Sequence, residues 1–318
     1  MGDTTLTMAS PAPSYRAVAP LIHPSKLTTV ERGGVGKDLS GGWCLNFAVG
    51  CTHGCKFCYV DVINKTFAGG RFKNNPAAKR EVMEKAWGDY FMIPDGLQEA
   101  IAATPWKKWQ GKEVMMSSMH DPYLPEIWGW AAQMLRPALE AGVRFCIQTR
   151  SLLVLKDFDL LAEYPKQVRL QVSVATLDLE LARRIEPRVP TPLRRLDVLR
   201  KAKAAGIPTG VILAPIFPSV TVRPDWKLDL IALIGKLGQI RPDHIYGESL
   251  HVRGKNLEYL HEALGEPIDT AALARFDELA GMYFALALES EELEGTWWPE
   301  HRSTKTRAGQ QSRIALRD

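Results

Sequence analysis

At 318 residues the chain is long enough to bury a full core, and its 46% apolar and 24% charged content is that of an ordinary globular protein. That balance excludes a disordered or fibrous chain, and five cysteines with no signal sequence exclude a disulfide framework. The formal charge of +4 permits a nucleic-acid partner without requiring one.

The first 40 residues are rich in Pro, Ser, Thr and Gly and read as an extended lead-in. The first strand is predicted at Trp43–Val49. Helical patterning follows at 77–86 and 94–103, and the second strand at 112–116. A helix over 126–141 is closed by Gly142, and strand three is Arg144–Thr149. A short helix at 157–164 leads to strand four at 168–174. The helix over 192–205 is closed by Gly206, and strand five is 209–215. A helix over 226–238 then precedes strand six at 244–248. From 256 the pattern is helical to Glu294 and ends in a basic tail. The expected organisation is therefore a lead-in (1–40), an α/β body (41–255) and a helical C-terminal extension with its tail (256–318). Strands alternating with helices call for a parallel sheet with right-handed crossovers, whose ligands sit at the carboxyl ends of the strands. Six strand–helix units fall short of a complete eight-stranded barrel. No apolar stretch reaches membrane-spanning length; the most apolar, Ile207 to Val222, holds three prolines. The expected location is a reduced cytoplasm.

Directly after the first strand comes Cys51-Thr-His-Gly-Cys55-Lys-Phe-Cys58-Tyr59. A short glycine-containing loop can fold three thiolates around one face of an iron–sulfur cluster and leave the fourth iron open. Zinc sites take four ligands, usually in pairs; His53 offers a fourth from inside the loop, and no second pair follows. The C-x3-C-x2-C pattern, with Phe57 before its last cysteine, resembles the signature of the radical S-adenosylmethionine (SAM) superfamily. The resemblance implies a partial (β/α)6 TIM-like barrel with a [4Fe–4S] cluster on Cys51, Cys55 and Cys58. It further implies that SAM binds the open iron and that a reductase or flavodoxin-type donor supplies an electron. SAM is then cleaved to methionine and a 5′-deoxyadenosyl radical.

The same resemblance nominates contacts to SAM. Ser117-Ser118 replaces the Gly-Gly-Glu-like segment that related enzymes use after strand two. Thr149 and Arg150 follow strand three, and Ser173 lies on strand four. Arg188 is a fork for the SAM carboxylate, and Glu186 an acceptor for ribose hydroxyls. Phe57 belongs beside adenine and Tyr59 on the cluster. The bland readings stand beside these: Ser173 as a satisfied core serine, Arg188 as a surface residue.

Further blocks, among them His120-Asp-Pro-Tyr-Leu-Pro125, Val172-Ser-Val-Ala-Thr-Leu-Asp178 and Ile185-Glu-Pro-Arg188, look like the spore photoproduct lyase-like group of that superfamily. That lyase returns hydrogen to its substrate from a cysteine placed after the cluster motif. Here no cysteine lies between 59 and 145, and Tyr123 and Tyr246 are the candidate donors instead. The favoured substrate is a nucleobase in DNA or RNA. A basic run from Arg183 to Lys203 and a basic tail beside Trp297-Trp298 suit phosphate contact and base stacking. Two other readings remain: a radical SAM enzyme acting on a peptide or small metabolite, and a zinc- or cluster-stabilised nucleic-acid-binding module without catalysis.

Overall fold

Along Val168-Arg-Leu-Gln-Val-Ser173 the apolar residues alternate with polar ones, and this alternation sets the architecture. Leu170 and Val172 enter the main core, while Arg169 and Gln171 bond to residues of other strands on the opposite, concave face. The computed structural model describes residues 14–15, 25–26 and 43–298. Its strands are β1 (Ser14–Tyr15), β2 (Ser25–Lys26), β3 (Trp43–Leu45), β4 (Val49–Gly50), β5 (Phe91–Pro94), β6 (Glu113–Met116), β7 (Arg144–Thr149), β8 (Val168–Ser173), β9 (Thr209–Ile216), β10 (His244–Ser249) and β11 (Gly295–Trp298). Its helices are α1 (Val60–Arg71), α2 (Pro76–Glu84), α3 (Leu97–Ala103), α4 (Trp128–Glu140), α5 (Phe158–Glu163), α6 (Leu179–Ile185), α7 (Pro192–Ala204), α8 (Trp226–Ile240), α9 (Asn256–Leu264) and α10 (Leu273–Ser290).

The main sheet runs β11-β10-β9-β8-β7-β6-β3-β2. Seven of these strands, β3 and β6 to β11, are parallel, and β2 joins β3 antiparallel. In a flat sheet β3 and β11 would lie roughly 29 Å apart, at about 4.8 Å per strand. Instead Cys44 of β3 and Trp298 of β11 belong to one buried cluster with Met115, Ile212 and Tyr246. The sheet is therefore curled into the expected partial barrel, with that cluster in its lumen. Across the same lumen Arg169 bonds Glu113 at 2.7 Å and Tyr246 Oη at 3.3 Å, and Gln148 bonds Gln171 at 3.0 Å.

Local chemistry explains the helix ends. Asn75 caps α2 by accepting from Ala78 N–H at 2.9 Å, with Pro76 in the first turn. Asp178 caps α6 and Asp225 caps α8 in the same way.

Several features depart from the sequence reading, among them strand β5, where no element is expected before residue 94. The strand expected over Trp43–Val49 breaks after Leu45: Asn46 turns to the serines after β6, and Val49–Gly50 pairs with β5 in a separate three-stranded sheet. Helix α1 fills a stretch that periodicity leaves without an element, because Gly69-Gly70 masks the pattern. Helix α6 is seven residues long, too short for periodicity to reveal. Gly295–Trp298, expected at the start of the tail, is the seventh parallel strand, reached through α10, so the sheet continues past residue 255. Among the described residues no helix is long and apolar enough to cross a membrane.

Candidate active site at the carboxyl ends of the strands

The cysteine loop leaves β4 through Gly50, whose φ of 91° and surroundings admit only glycine: a Cβ there would fall 2.2 Å from the Tyr90 carbonyl oxygen. The loop then folds on itself, with Gly54 N–H donating to Cys51 O at 3.3 Å and Cys58 N–H to Cys55 O at 3.1 Å. Lys56 N–H ties it to the end of α6 through Ile185 O at 2.8 Å. Cys51, Cys55 and Cys58 line one cavity of about 460 Å³, formed between the loop and the carboxyl ends of β6 to β10.

Burial pushes the Cys51 and Cys58 thiols up to about 12, and Cys55 in the same direction. The Arg150 guanidinium opposes that rise at Cys55 and Cys58. Two buried sulfurs, Cys51 and Cys55, and the half-buried Cys58 therefore reach their thiolate form beside positive charge, which the iron of a cluster supplies. Among the described residues no group of His, Cys, Asp or Glu already forms a compact single-ion site. Three cysteine sulfurs opening on one cavity are the donors that an iron–sulfur cluster takes, and this donor set fits a cluster.

Asp121 braces the loop. Its Oδ1 accepts from the Thr149 hydroxyl at 2.7 Å and from Tyr123 N–H at 2.9 Å. Its Oδ2 accepts from Arg150 N–H at 2.7 Å and faces His53 Nδ1 at 3.5 Å. One carboxylate thus joins the cysteine loop, its own turn and the end of β7. Arg150 reaches across the cavity wall, donating Nε to Glu186 at 2.9 Å and Nη2 to Ala214 O at 3.2 Å, with its guanidinium 5.4 Å from the Phe57 ring. Beyond β6, the Ser117 hydroxyl donates to Asn46 Oδ1 at 2.7 Å and lies 3.1 Å from His120 Nδ1. Burial pushes His120 down to about 3, so its imidazole is neutral.

Most residues nominated from sequence meet in this cavity. Phe57 and Tyr59 line it from the loop; Ser117, Ser118, Thr149, Arg150 and Ser173 line it from the strand ends. Four do not. Glu186 is buried under the wall and clamps Arg195 and Arg150. Arg188 lies on the surface, paired with Asp89 at 2.6 Å and donating to Gly88 O. Tyr123 is fully buried and donates to Asp157 Oδ2 at 2.9 Å. Tyr246 lies in the lumen, stacked on Trp298 at 4.7 Å. Residue type suggested contact for all four, but burial takes Glu186, Tyr123 and Tyr246 elsewhere and Asp89 holds Arg188 at the surface. Asp121, Glu248, His251 and Arg253 belong to the cavity and are not among the site residues that the sequence nominates; His53 and Trp298 also line it, and the sequence reading offers them only as a zinc ligand and a stacking surface. Asp121 lies inside the His120 to Pro125 block, and Glu248 to Arg253 end or directly follow strand six, which are the signals that could have found them.

The basic run is mostly neutralised. Arg183, Arg184, Arg188, Arg195, Arg200, Lys201 and Lys203 each pair with a carboxylate. The basic tail from His301 lies outside the described residues.

The sequence profile of the radical SAM superfamily matches residues 45–230. The chain belongs to that superfamily and is an enzyme of the radical SAM class. It is 52% identical over 286 residues to the uncharacterized protein ORF301 of Acidianus two-tailed virus, covering 90% of this chain and 92% of the relative. Its fold is shared with spore photoproduct lyase complexed with dinucleoside spore photoproduct: TM-score 0.59, 13% identity, 89% of this chain and 80% of the other. A doubly substituted mutant of the same lyase, with bound AdoMet and dinucleoside spore photoproduct, matches with TM-score 0.56 and 14% identity over 81% and 77% of the two chains. Membership implies a [4Fe–4S] cluster and SAM as cofactors.

Proposed function

We propose that Cys51, Cys55 and Cys58 hold the cluster, that SAM binds beside it at the ends of β6 to β9, and that the substrate is a nucleobase in DNA or RNA. The observation that carries this is the convergence of Cys51, Cys55, Cys58 and the Arg150 cation on a single cavity at the sheet's carboxyl edge. When bound, cluster and SAM together supply a 5′-deoxyadenosyl radical able to take hydrogen from an unactivated carbon. The chain's own residues position and shelter. Asp121 fixes the loop against β7, Glu186 holds Arg150 toward the sulfurs, and the Phe57 ring with Met115 and Ile212 excludes water. The hydroxyls of Ser117, Ser118, Thr149 and Ser173 offer polar contacts to the amino-acid and ribose parts of SAM, and Phe57 and Tyr59 offer apolar faces.

The nucleobase assignment draws on the aromatic walls, Tyr59, Trp87 and Trp298, and on a lyase of the same fold bound to a dinucleoside lesion. Tyr246 is kept as the candidate hydrogen donor because its ring stacks on Trp298, which lines the cavity, although its hydroxyl accepts from Arg169; Tyr123 donates to Asp157. The pairing of the basic run favours a second reading, a peptide or small metabolite, because paired cations attract phosphate weakly.

The test is anaerobic. The full chain is reconstituted with iron and sulfide, given SAM, dithionite and a thymidine oligonucleotide or a peptide mixture, and assayed for 5′-deoxyadenosine by mass spectrometry. The wild type releases it, faster with the oligonucleotide, and Cys55→Ala releases none. A zinc-loaded protein, or a cluster without cleavage, overturns the proposal; stimulation by peptide alone moves the substrate to the second reading.

A further inference from the structure

Helix α1 leaves the cysteine loop directly: it begins at Val60, and both Tyr59 and Val60 line the cavity. Its 12 residues carry the chain about 18 Å away from the loop, and α2 follows after a short turn. Residues 65–85 hold six basic side chains against Glu81 and Glu84, so this stretch alone carries a net +4, as much as the whole chain. Lys65 is taken by Asp61, and Lys85 by Glu81. The others gather at the junction of the two helices. Arg71 closes α1, Lys73 lies in the turn, and Lys79 and Arg80 lie in the first two turns of α2. All four are exposed, and among the described residues none has a carboxylate partner.

This is the reverse of the run from Arg183 to Lys203, where carboxylates already hold the cations. Phe67 stands four residues before Arg71, on the same stripe of α1, and is 59% exposed. Unpaired cations beside an exposed ring are the two features that a nucleic-acid strand takes, the cations for its phosphates and the ring for a base.

We propose that the junction of α1 and α2 binds a single strand of nucleic acid flanking the nucleobase that enters the cavity. Arg71, Lys73, Lys79 and Arg80 meet phosphates, and Phe67 stacks on an unpaired base. At a phosphate about every 3.4 Å of strand, the length of α1 corresponds to about five phosphates between cavity and junction. These contacts do not read sequence; they hold the strand in place while the cavity takes the base. An acidic peptide would satisfy the cations and leave Phe67 without a planar partner. The assignment rests on the nucleobase reading above and names the surface that would hold the polymer.

The test uses the reconstituted full chain with SAM, and follows fluorescent oligothymidylates by anaerobic fluorescence anisotropy between about 50 and 200 mM salt. The variant Lys73→Ala/Lys79→Ala/Arg80→Ala loses three phosphate contacts, so the log–log salt slope for a dodecamer should fall by about two. Over that salt range the wild type should lose about twentyfold more affinity than the variant. A dithymidylate, too short to span α1, should bind both alike. Phe67→Ala should weaken the dodecamer about fivefold or more with no change of slope. The control Lys107→Ala/Lys108→Ala/Lys166→Ala removes the same charge from exposed positions that precede β6 and β8, and should keep the wild-type slope. Circular dichroism checks that each variant is folded. Equal slopes in wild type and junction variant, or an equal loss in the control, overturn the surface and leave the nucleobase reading standing. No oligomer binding by a protein that still cleaves SAM overturns both, as does an acidic peptide that binds in its place with the same charge dependence.

Discussion

Within residues 180–203 the chain carries two kinds of ion pair. Glu186 is 2% exposed and takes both Arg195 and Arg150. A few residues on, Asp197 sits on the outer face of α7 with Arg200 and Lys201. Both carboxyls are held below their ordinary range, for different reasons. At Glu186 burial works against the charge, and the two guanidinium groups overcome it. At Asp197 hydrogen bonds from Lys201 and Arg200 act in the open with almost no burial. The similar direction hides unequal consequences. Water and salt already screen the outer pair, so its loss changes little. Removing Glu186 strands Arg195 in the core and frees the residue that faces the cysteines.

The largest expected effect is therefore at the buried site. Glu186→Ala should lower unfolding free energy by about 3–5 kcal/mol in urea titrations, the range for breaking one side of a buried pair. A loss below about 1 kcal/mol would show that water replaces the carboxylate. Acid sharpens the contrast next. The folded Glu186 carboxyl lies below its unfolded value near about 4.3, so its contribution is complete above that pH and is lost as pH falls further toward the folded value. The stability gap between wild type and Glu186→Gln should hold steady from about pH 7 to 5 and narrow below about 4.5, with little dependence on salt. A gap that widens on acidification would reverse the sign of this linkage. The smallest effect belongs to the surface: Arg200→Ala should cost no more than about 0.5 kcal/mol and nothing measurable in about 1 M salt. A larger, salt-resistant loss would erase the distinction between the two sites.

The alternation of strand and helix, and the position of the cysteine loop at a strand end, were legible because periodicity and spacing are local properties. Burial is not local. Glu186 and Arg188 both read as ligands for SAM, yet one lies under the wall and the other on the surface. Conversely, Trp298 read only as a stacking surface beside the basic tail, and only the curl of the sheet brings β11 to the lumen. Strand β11 was unreadable for the same reason: four residues beginning Gly-Thr give no alternation to see, and their register is set by β10. The break after Leu45 depends on Asn46 finding Ser117 and Ser118, a contact across 71 and 72 positions of chain.

That late strand also bears on how the protein is made. Ribosomes add about 5–20 residues per second, so on the order of tens of seconds pass between the emergence of Cys58 and that of Trp298. During that interval the lumen lacks Trp298, the residue that bridges its two edges, and the cysteine loop lies at the mouth of an unfinished sheet. Iron and sulfide delivered to the nascent chain would meet an open flank, whereas delivery after the last strand docks must pass through the narrower mouth of the finished cavity. Vectorial synthesis thus sets an order of events, with the sulfurs exposed first and the wall that shelters them added last.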